Sequence, residues 1–202
     1  MSDSPLRAVG ILIFDDVEVL DFCGPFEVFS VARPVGIHSD DNILFKAITI
    51  AEENRIITCR GGLLAKPHFT LENAPPLDIL LVPGGQGTRR ERHNQRLLNW
   101  IGEQDRRTEL TTSVCTGAFL LAERGLLDQH RATTHWNSVE WMRSSYPSIT
   151  MLDDQRVVDE GHIITSAGVS AGIDMSLHIV ARLHGNDTAR WTARRMEYDW
   201  MV

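Results

Sequence analysis

Short, continuous apolar runs alternate along the chain with amphipathic segments. Residues 8–14 (AVGILIF) and 78–82 (DILLV) have the length and composition of strands that are buried on both faces of a parallel sheet. Residues 109–114 (ELTTSV) predict another strand, which runs directly into Cys115. Residues 42–50 are rich in β-branched and aromatic side chains and predict a further strand. The pattern therefore predicts a mostly parallel sheet at the centre of the fold.

Helical spacing of apolar residues marks the segments between and after these runs. Helices are predicted over residues 22–32, 94–105, 116–124, 137–144, 170–183 and 187–200. Gly125 supplies a left-handed stop for the third of them, and Asn137 is predicted to cap the fourth. Strands that alternate with helices in this way predict an α/β fold whose sheet is covered on both faces.

Shorter features complete the prediction. Residues 56–65 predict a small hairpin around Gly61 and Gly62, and residues 157–166 predict a second hairpin or a strand that follows a turn. Residues 131–134 predict a short strand. No repeat or low-complexity segment divides the sequence, so residues 1–202 are expected to form one domain.

Composition and charge narrow the functional classes. The 202 residues are 43% hydrophobic and 23% charged, which is ordinary for a globular protein, and the formal net charge is −7. This charge does not favour nucleic acid or an anionic membrane as a partner, and the arginines at 88–92 and 192–195 are interpreted as solvated helix faces. Without a signal peptide or membrane span in the sequence, the protein is expected in the cytoplasm.

Three widely separated cysteines, Cys23, Cys59 and Cys115, are expected to be free thiols. Cys23 lies in a helix start and Cys59 in a hairpin, so a structural role is favoured for both. No CxxC pair, no metal-ligand spacing and no nucleotide motif is present, and the sequence therefore predicts neither a metal site nor a cofactor.

Cys115 stands in a different context, between a strand and an apolar helix. Its neighbours form a small-x-Cys-x-Gly pattern, as a tight strand-to-helix turn requires when a nucleophile must stand clear of a sheet. A helix N-terminus would stabilise the thiolate, which is the reactive form. From spacing alone, a small buried core residue is an equal alternative.

An acidic cluster follows the first predicted strand, at the sheet edge where ligands gather in parallel sheets. Asp21 lies at a constrained turn that opens a helix, so an N-cap role is the common alternative to a functional one. Asp15, Asp16 and Glu18 are interpreted as solvated loop acids.

Two weaker signals follow other strands. The glycines of residues 83–87 (PGGQG), among them Gly84 and Gly85, would let backbone N–H groups approach a ligand, but a plain turn is the simpler interpretation. His135 and Trp136 end the short strand at residues 131–134, where structural roles are commoner than functional ones.

Taken together, the motifs resemble the ThiJ/PfpI superfamily, which shares the fold of class I glutamine amidotransferases. The matching stretches occur in the family's order: LDFCGP (20–25), LVPGG (81–85), SVCTGA (113–118), RATTHW (131–136) and GID (172–174). The resemblance implies a three-layer sandwich with a mostly parallel central sheet, flavodoxin-like and amidotransferase-like. It also implies a homodimer and a small-molecule substrate.

Within the superfamily, the sequence is most similar to the isonitrile hydratase branch, which adds water to an isocyanide to give an N-substituted formamide. This resemblance implies Cys115 as the nucleophile, Asp21 as its acid/base partner and Thr116 beside them. It implies that the N–H groups of Gly85 and Thr116 form an anion-stabilising pocket.

The resemblance leaves further readings open. The candidate substrate- or anion-binding residues also include Gly84, His135 and Trp136. Another cysteine-dependent enzyme of the superfamily, a glyoxalase-type enzyme or a hydrolase, is one alternative, although Thr116 stands where the protease branch has histidine. A non-catalytic ligand or oxidation sensor is another, because the same motifs occur in the sensor domains of arabinose-type regulators. An apolar pocket that touches Cys115 and Asp21 would favour the hydratase.

Overall fold

A computed structural model describes residues 6–39 and 42–200. Within those residues the backbone forms eleven strands: β1 (Arg7–Leu12), β2 (Phe45–Ala51), β3 (Ile57–Thr58), β4 (Leu64–Ala65), β5 (Phe69–Thr70), β6 (Ile79–Val82), β7 (Leu110–Val114), β8 (Arg131–Ala132), β9 (Thr150–Met151), β10 (Val157–Asp159) and β11 (Ile163–Ser166). The same residues form seven α-helices: α1 (Val19–Val31), α2 (Thr88–Glu91), α3 (Gln95–Asp105), α4 (Ala118–Glu123), α5 (Val139–Ser145), α6 (Ala171–His184) and α7 (Asn186–Arg195). Single 3₁₀ turns cover Arg60–Gly62, Cys115–Gly117 and Trp136–Ser138.

The central sheet has seven strands in the order β10-β11-β7-β6-β1-β2-β5. All of its neighbouring strands are parallel except β10, which pairs antiparallel with β11. Strands β6 and β7 are buried along their whole length. The continuous apolar sequence of β6 predicts this burial, whereas β7 is buried although it contains two threonines and a serine. The predicted α/β class with a mostly parallel sheet is confirmed.

Helices cover both faces of this sheet. Helices α1, α6 and α7 pack against one another, and α3 and α2 both contact α4. Asn94 caps α3, because its side chain accepts the Leu97 N–H at 3.2 Å. Gly125 has φ 68° and ends α4 as predicted. Among the described residues, no helix is long and apolar enough to cross a membrane.

Several helix boundaries differ from the predictions. Helix α1 begins at Val19, so Asp21 lies inside its first turn and is not its cap. Asn137 belongs to a 3₁₀ turn, and the cap position of α5 is Ser138. Helix α7 ends at Arg195 rather than at residue 200, because Glu197 turns left-handed (φ 50°) and the Tyr198 N–H reaches back to an earlier carbonyl.

The hairpin of β3 and β4 lies beside the loop that follows β1. Asp15 pairs with Arg55 at 2.7 Å, and this bond lowers the pKa of the Asp15 carboxyl. Glu18 pairs with Arg60 at 2.7 Å. All three acids expected to be solvated form ion pairs, because Asp16 also lies 3.5 Å from Arg90, although Asp16 remains exposed. These pairs fix the hairpin close to the sheet edge where the site lies.

Candidate functional site

The site forms where four central strands end. Strands β11, β7, β6 and β1 are consecutive neighbours in the sheet and all run in the same direction. Their carboxyl ends therefore meet at one edge, which is where parallel sheets bind ligands. Cys115 follows β7, the Gly84 turn follows β6, and Asp21 enters α1 after β1. The fourth strand, β11, leads into a loop that contains Val169.

Cys115 occupies a strained strand-to-helix turn with φ 57°. A side chain at Gly117 would place its Cβ 2.0 Å from the Val82 carbonyl oxygen, so the turn requires glycine two residues after the cysteine. The Cys115 N–H donates to the Ala167 carbonyl at 3.2 Å, and the Thr134 hydroxyl donates to the Cys115 carbonyl at 2.8 Å. The geometry is that of a nucleophile elbow, with both backbone groups of the cysteine fixed.

Asp21 is fully buried next to the thiol. Its Oδ2 accepts the Gly84 N–H at 3.0 Å, whereas its Oδ1 is buried without an aligned hydrogen-bond partner among the described residues. Burial raises the pKa of Asp21 to about 7. The Gly84 N–H and the nearby Cys115 thiol act in the opposite direction, and the charge of Glu18 raises the pKa further. A carboxyl in this state can exchange a proton near neutral pH.

The thiol of Cys115 keeps its proton more tightly than the sequence suggested. Its side chain is 5% exposed, and burial together with the Asp21 charge raises its pKa to about 12. The N–H groups of Thr116 and Val169 lower that pKa, but less than burial raises it. The predicted N–H stabilisation of the thiolate is therefore present, but desolvation outweighs it.

The backbone N–H and the side-chain hydroxyl of Thr116 contact different parts of the site. Its backbone N–H interacts with the Cys115 sulfur, while its hydroxyl accepts the Gly85 N–H at 3.0 Å and contacts the Thr88 hydroxyl at 3.1 Å. The Gly85 N–H, expected in an anion-stabilising pocket, is therefore already bonded. The N–H groups that face the sulfur belong to Thr116 and Val169. Because the Val169 loop follows a different strand, its proximity could not be predicted from spacing.

A cavity of about 210 Å³ opens beside the thiol. Its lining comprises Glu18, Arg60, Gly85, Gln86, Arg89, Cys115, Thr116, His135, Asn137, Ser138 and Val169. Most of these side chains are polar, and Asp21 is not among them. The cavity is therefore not the apolar pocket in contact with both Cys115 and Asp21 that would favour the hydratase. Gly84 serves the site through its bond to Asp21 rather than by lining the cavity.

His135 and Trp136 separate in the structure. His135 is half-buried, lines the cavity and accepts the Asn137 N–H through Nδ1 at 3.3 Å. Trp136 is 77% exposed, packs on the His135 ring at 5.5 Å and does not line the cavity. A binding role for Trp136 is not supported by this position, because its ring points to the surface. Cys23 is half-buried in α1 and Cys59 is buried, and both lie outside the cavity lining.

Three charged residues at the cavity were not identified as site residues from the sequence. Glu18 and Arg60 line it as an ion pair, and Arg89 lines it with its guanidinium bonded to the Gln86 side chain at 2.8 Å. Arg60 comes from the β3–β4 hairpin, which no motif connects to Cys115. Among the described residues, no group of three or more His, Cys, Asp or Glu side chains is arranged to hold a metal ion.

A buried thiol on an elbow, beside a buried carboxyl at the carboxyl edge of a parallel sheet, defines an α/β protein with a cysteine-centred site. The chain belongs to the DJ-1/PfpI family, whose model matches residues 7–182. The resemblance to the ThiJ/PfpI superfamily is thereby confirmed.

Relatives within the family differ in what they do. The chain is 35% identical to an isonitrile hydratase of Pseudomonas putida, over 94% of this chain and 78% of that one. It is also 30% identical, over 88% of its length, to the HTH-type transcriptional regulator CdhR of Pseudomonas aeruginosa, and it spans about half (51%) of that regulator. A ThiJ/PfpI family protein from Pseudomonas syringae has the same fold, with a TM-score of 0.85 and 28% identity, over 98% of this chain and 77% of that one.

Proposed function

We propose that the protein is a hydratase that adds water to an isocyanide and releases an N-substituted formamide. The observation that carries the proposal is the buried pair of Cys115 and Asp21, in which a protonated thiol lies beside a carboxyl whose pKa is about 7. Hydration needs a nucleophile for the isocyanide carbon and a group that returns a proton to that same carbon. This pair supplies both.

In the first step, ionised Asp21 takes the proton of the Cys115 thiol as the sulfur attacks the terminal carbon of the isocyanide. The carboxyl then gives that proton to the same carbon, and the product is a thioimidate bound to Cys115. One S–H bond is broken, and one C–S and one C–H bond are formed. The N–H groups of Thr116 and Val169 face the sulfur and stabilise its charge during the transfer.

In the second step, water adds to the thioimidate carbon while the nitrogen gains a proton. The C–S bond then breaks, the sulfur recovers a proton through Asp21, and the formamide leaves. The two protons of the water end on the nitrogen and, through the carboxyl, on the thiol. No group outside the chain other than substrate and water is needed for the balance.

Similarity to the isonitrile hydratase of Pseudomonas putida supports this proposal over the glyoxalase-type and hydrolase alternatives. A ligand-binding role without turnover is the second candidate, favoured by the similarity to transcriptional regulators that are about twice as long. An oxidation sensor has less support, because the Cys115 thiol is buried and its pKa is raised.

The proposal is tested by incubating the reduced protein with n-propyl isocyanide and measuring formation of the corresponding formamide by chromatography. We expect turnover by the unmodified chain and its loss in Cys115→Ala and Asp21→Asn, with folding verified by circular dichroism. Cys23→Ala is the matched control and should retain activity, because Cys23 lies outside the cavity. Undiminished turnover by Cys115→Ala would contradict the mechanism. Absence of turnover in the intact chain would favour the ligand-binding candidate.

We also propose a cytoplasmic homodimer. The β3–β4 hairpin beside the site exposes Ile56, Leu63 and Leu64, which are 57%, 48% and 63% exposed. Adjacent exposed apolar side chains of this kind suit a protein interface. Light scattering after size-exclusion chromatography should give twice the mass of the 22.7 kDa chain, and Leu64→Glu should shift the species toward the monomer. A monomer at all concentrations would contradict this proposal.

A further inference from the structure

The cavity beside Cys115 carries a local positive charge in an acidic protein. The ionised side chains that line it are Glu18, Arg60 and Arg89, which sum to +1, whereas the chain as a whole has a formal net charge of −7. A neutral, apolar isocyanide would make no charged contact with a guanidinium group in this lining. The lining therefore contains information about the substrate beyond its reactive carbon.

The two arginines differ in their partners. Arg60 forms an ion pair with Glu18 at 2.7 Å, so its charge is already neutralised. Arg89 makes no ion pair with any of the described residues, and the hydrogen bond that its side chain donates there goes to the neutral Gln86 amide at 2.8 Å. Both side chains are exposed, and this bond leaves further N–H donors of the guanidinium for a ligand.

We propose that Arg89 binds a carboxylate on the substrate, and that the enzyme prefers small isocyanides bearing a carboxylate over neutral alkyl isocyanides. The inference rests on the proposed function for the reacting end of the substrate. A planar guanidinium binds a carboxylate through two parallel N–H bonds, which favours this anion at Arg89. With the isocyanide carbon at Cys115, the carboxylate would extend toward Arg89 across the same cavity.

The size of the cavity supports a short substrate. At about 210 Å³ it admits a small ligand. Isocyanoacetate fits this size and carries both groups on one methylene. A long alkyl chain would bury little matching apolar surface, because most of the lining side chains are polar.

Steady-state turnover of isocyanoacetate and n-propyl isocyanide tests the preference. We expect a kcat/KM about tenfold higher for isocyanoacetate, and a loss of about tenfold for that substrate alone in Arg89→Gln. Arg190→Gln is the matched control, because Arg190 is an exposed arginine (59%) on α7 outside the cavity lining and its substitution changes the net charge equally. Equal losses for both substrates in Arg89→Gln would overturn the inference while leaving the hydratase proposal intact.

Alkylation of Cys115 tests the anion site independently of isocyanide chemistry. Iodoacetate and iodoacetamide have nearly the same size and differ in charge, and peptide mass spectrometry measures the labelling rate of Cys115 for each. We expect the iodoacetate-to-iodoacetamide rate ratio to fall several-fold in Arg89→Gln and to stay constant in Arg190→Gln. An unchanged ratio in Arg89→Gln would overturn the inference whatever the turnover result. If no isocyanide is turned over but the ratio falls, the proposed function fails and the anion site stands.

Discussion

Asp21 and Gly84, 63 residues apart in the chain, are joined by a 3.0 Å hydrogen bond from the Gly84 N–H to Oδ2 of the buried carboxyl. The bond connects the first turn of α1 with the turn after β6. It lowers the pKa of Asp21, but burial raises that pKa by more, to about 7. The carboxyl is consequently poised to change its protonation state near neutral pH, beside a thiol that does not.

The pH profile of turnover should follow Asp21. Because Asp21 must be ionised to take the thiol proton, kcat/KM should fall about tenfold per pH unit below about 7 and level off above it. No falling limb is expected between pH 8 and 10, because the pKa of Cys115 is about 12. Initial rates from pH 5 to 10 in constant ionic strength measure the profile. A rate independent of pH between 5 and 8 would exclude Asp21 as the base.

The free energy of unfolding should depend on pH in the opposite direction to activity, falling as the pH rises. The pKa of Asp21 rises from 3.8 in the unfolded chain to about 7 in the fold, so the folded state binds the proton more tightly between these values. Its contribution to the free energy of unfolding is complete below pH 4 and is lost as pH rises through 7. The difference is on the order of 4 kcal/mol.

Asp21→Asn isolates this contribution, since the amide is a neutral mimic of the protonated carboxyl. The variant should be more stable than the unmodified chain by about 1–4 kcal/mol at pH 8 and nearly equal to it at pH 4. Urea denaturation at both pH values provides the measurement. The same difference at pH 4 and pH 8 would argue against an ionisation of Asp21 as its cause.

Gly84→Ala should disable the site through a steric conflict. An added Cβ would lie 2.6 Å from the Thr116 nitrogen and 2.8 Å from Oδ2 of Asp21, which are rigid neighbours. We expect a loss of activity of at least a hundredfold and a destabilisation of about 1–3 kcal/mol. Gly102→Ala is the control, because its added Cβ would meet the flexible end of the Arg124 side chain. Full activity in Gly84→Ala would show that the turn can move without cost.

The Thr116 hydroxyl should matter for the turn more than for the chemistry. Thr116→Val removes the acceptor of the buried Gly85 N–H and should cost about 1–3 kcal/mol of stability. Thr116→Ser keeps the hydroxyl and should retain most of that stability. Thermal denaturation of the two variants, together with kcat/KM, distinguishes the roles. Equal stability of the serine and valine variants would show that the bond contributes nothing measurable.

The backbone strain at Cys115 should be measurable as a difference in stability between the Cys115→Gly and Cys115→Ala variants. The residue has φ 57°, which glycine adopts freely and alanine does not. Cys115→Gly should therefore be more stable than Cys115→Ala by about 1 kcal/mol, although both lack the nucleophile. Denaturant midpoints of the two variants provide the test. An alanine variant as stable as the glycine variant would show that the elbow relaxes once the sulfur is removed.

The parts of the fold that could be predicted are those whose local sequence decides their structure. Residues 78–82 have the pattern of a strand buried on both faces and form β6, and the strand predicted at residues 109–114 forms β7. Cys115 was identified because a strand-to-helix elbow leaves a short motif that includes Gly117. In each of these cases the cause lies within a few residues of the effect.

The rest of the site depends on which strands become neighbours, and no single segment encodes that order. Val169 reaches the sulfur because β11 lies beside β7, and Arg60 reaches the cavity because its hairpin pairs with Glu18. Arg89 lies exposed on α2, as its charged surroundings in sequence predict, but that pattern does not indicate that it also lines the cavity. Similarly, the raised pKa of Cys115 follows from burial by segments far along the chain.

Because the site is built on the four adjacent strands β1, β6, β7 and β11, its integrity depends on the interior of the sheet rather than on its edges. Opening of the edge strands β5 and β10 can expose their own amides without separating Asp21 from Cys115. Slow hydrogen exchange should therefore be found in the strands that hold the site. Activity should then be lost on heating at the same temperature at which the whole fold unfolds, so the catalytic pair would report on the integrity of the whole fold.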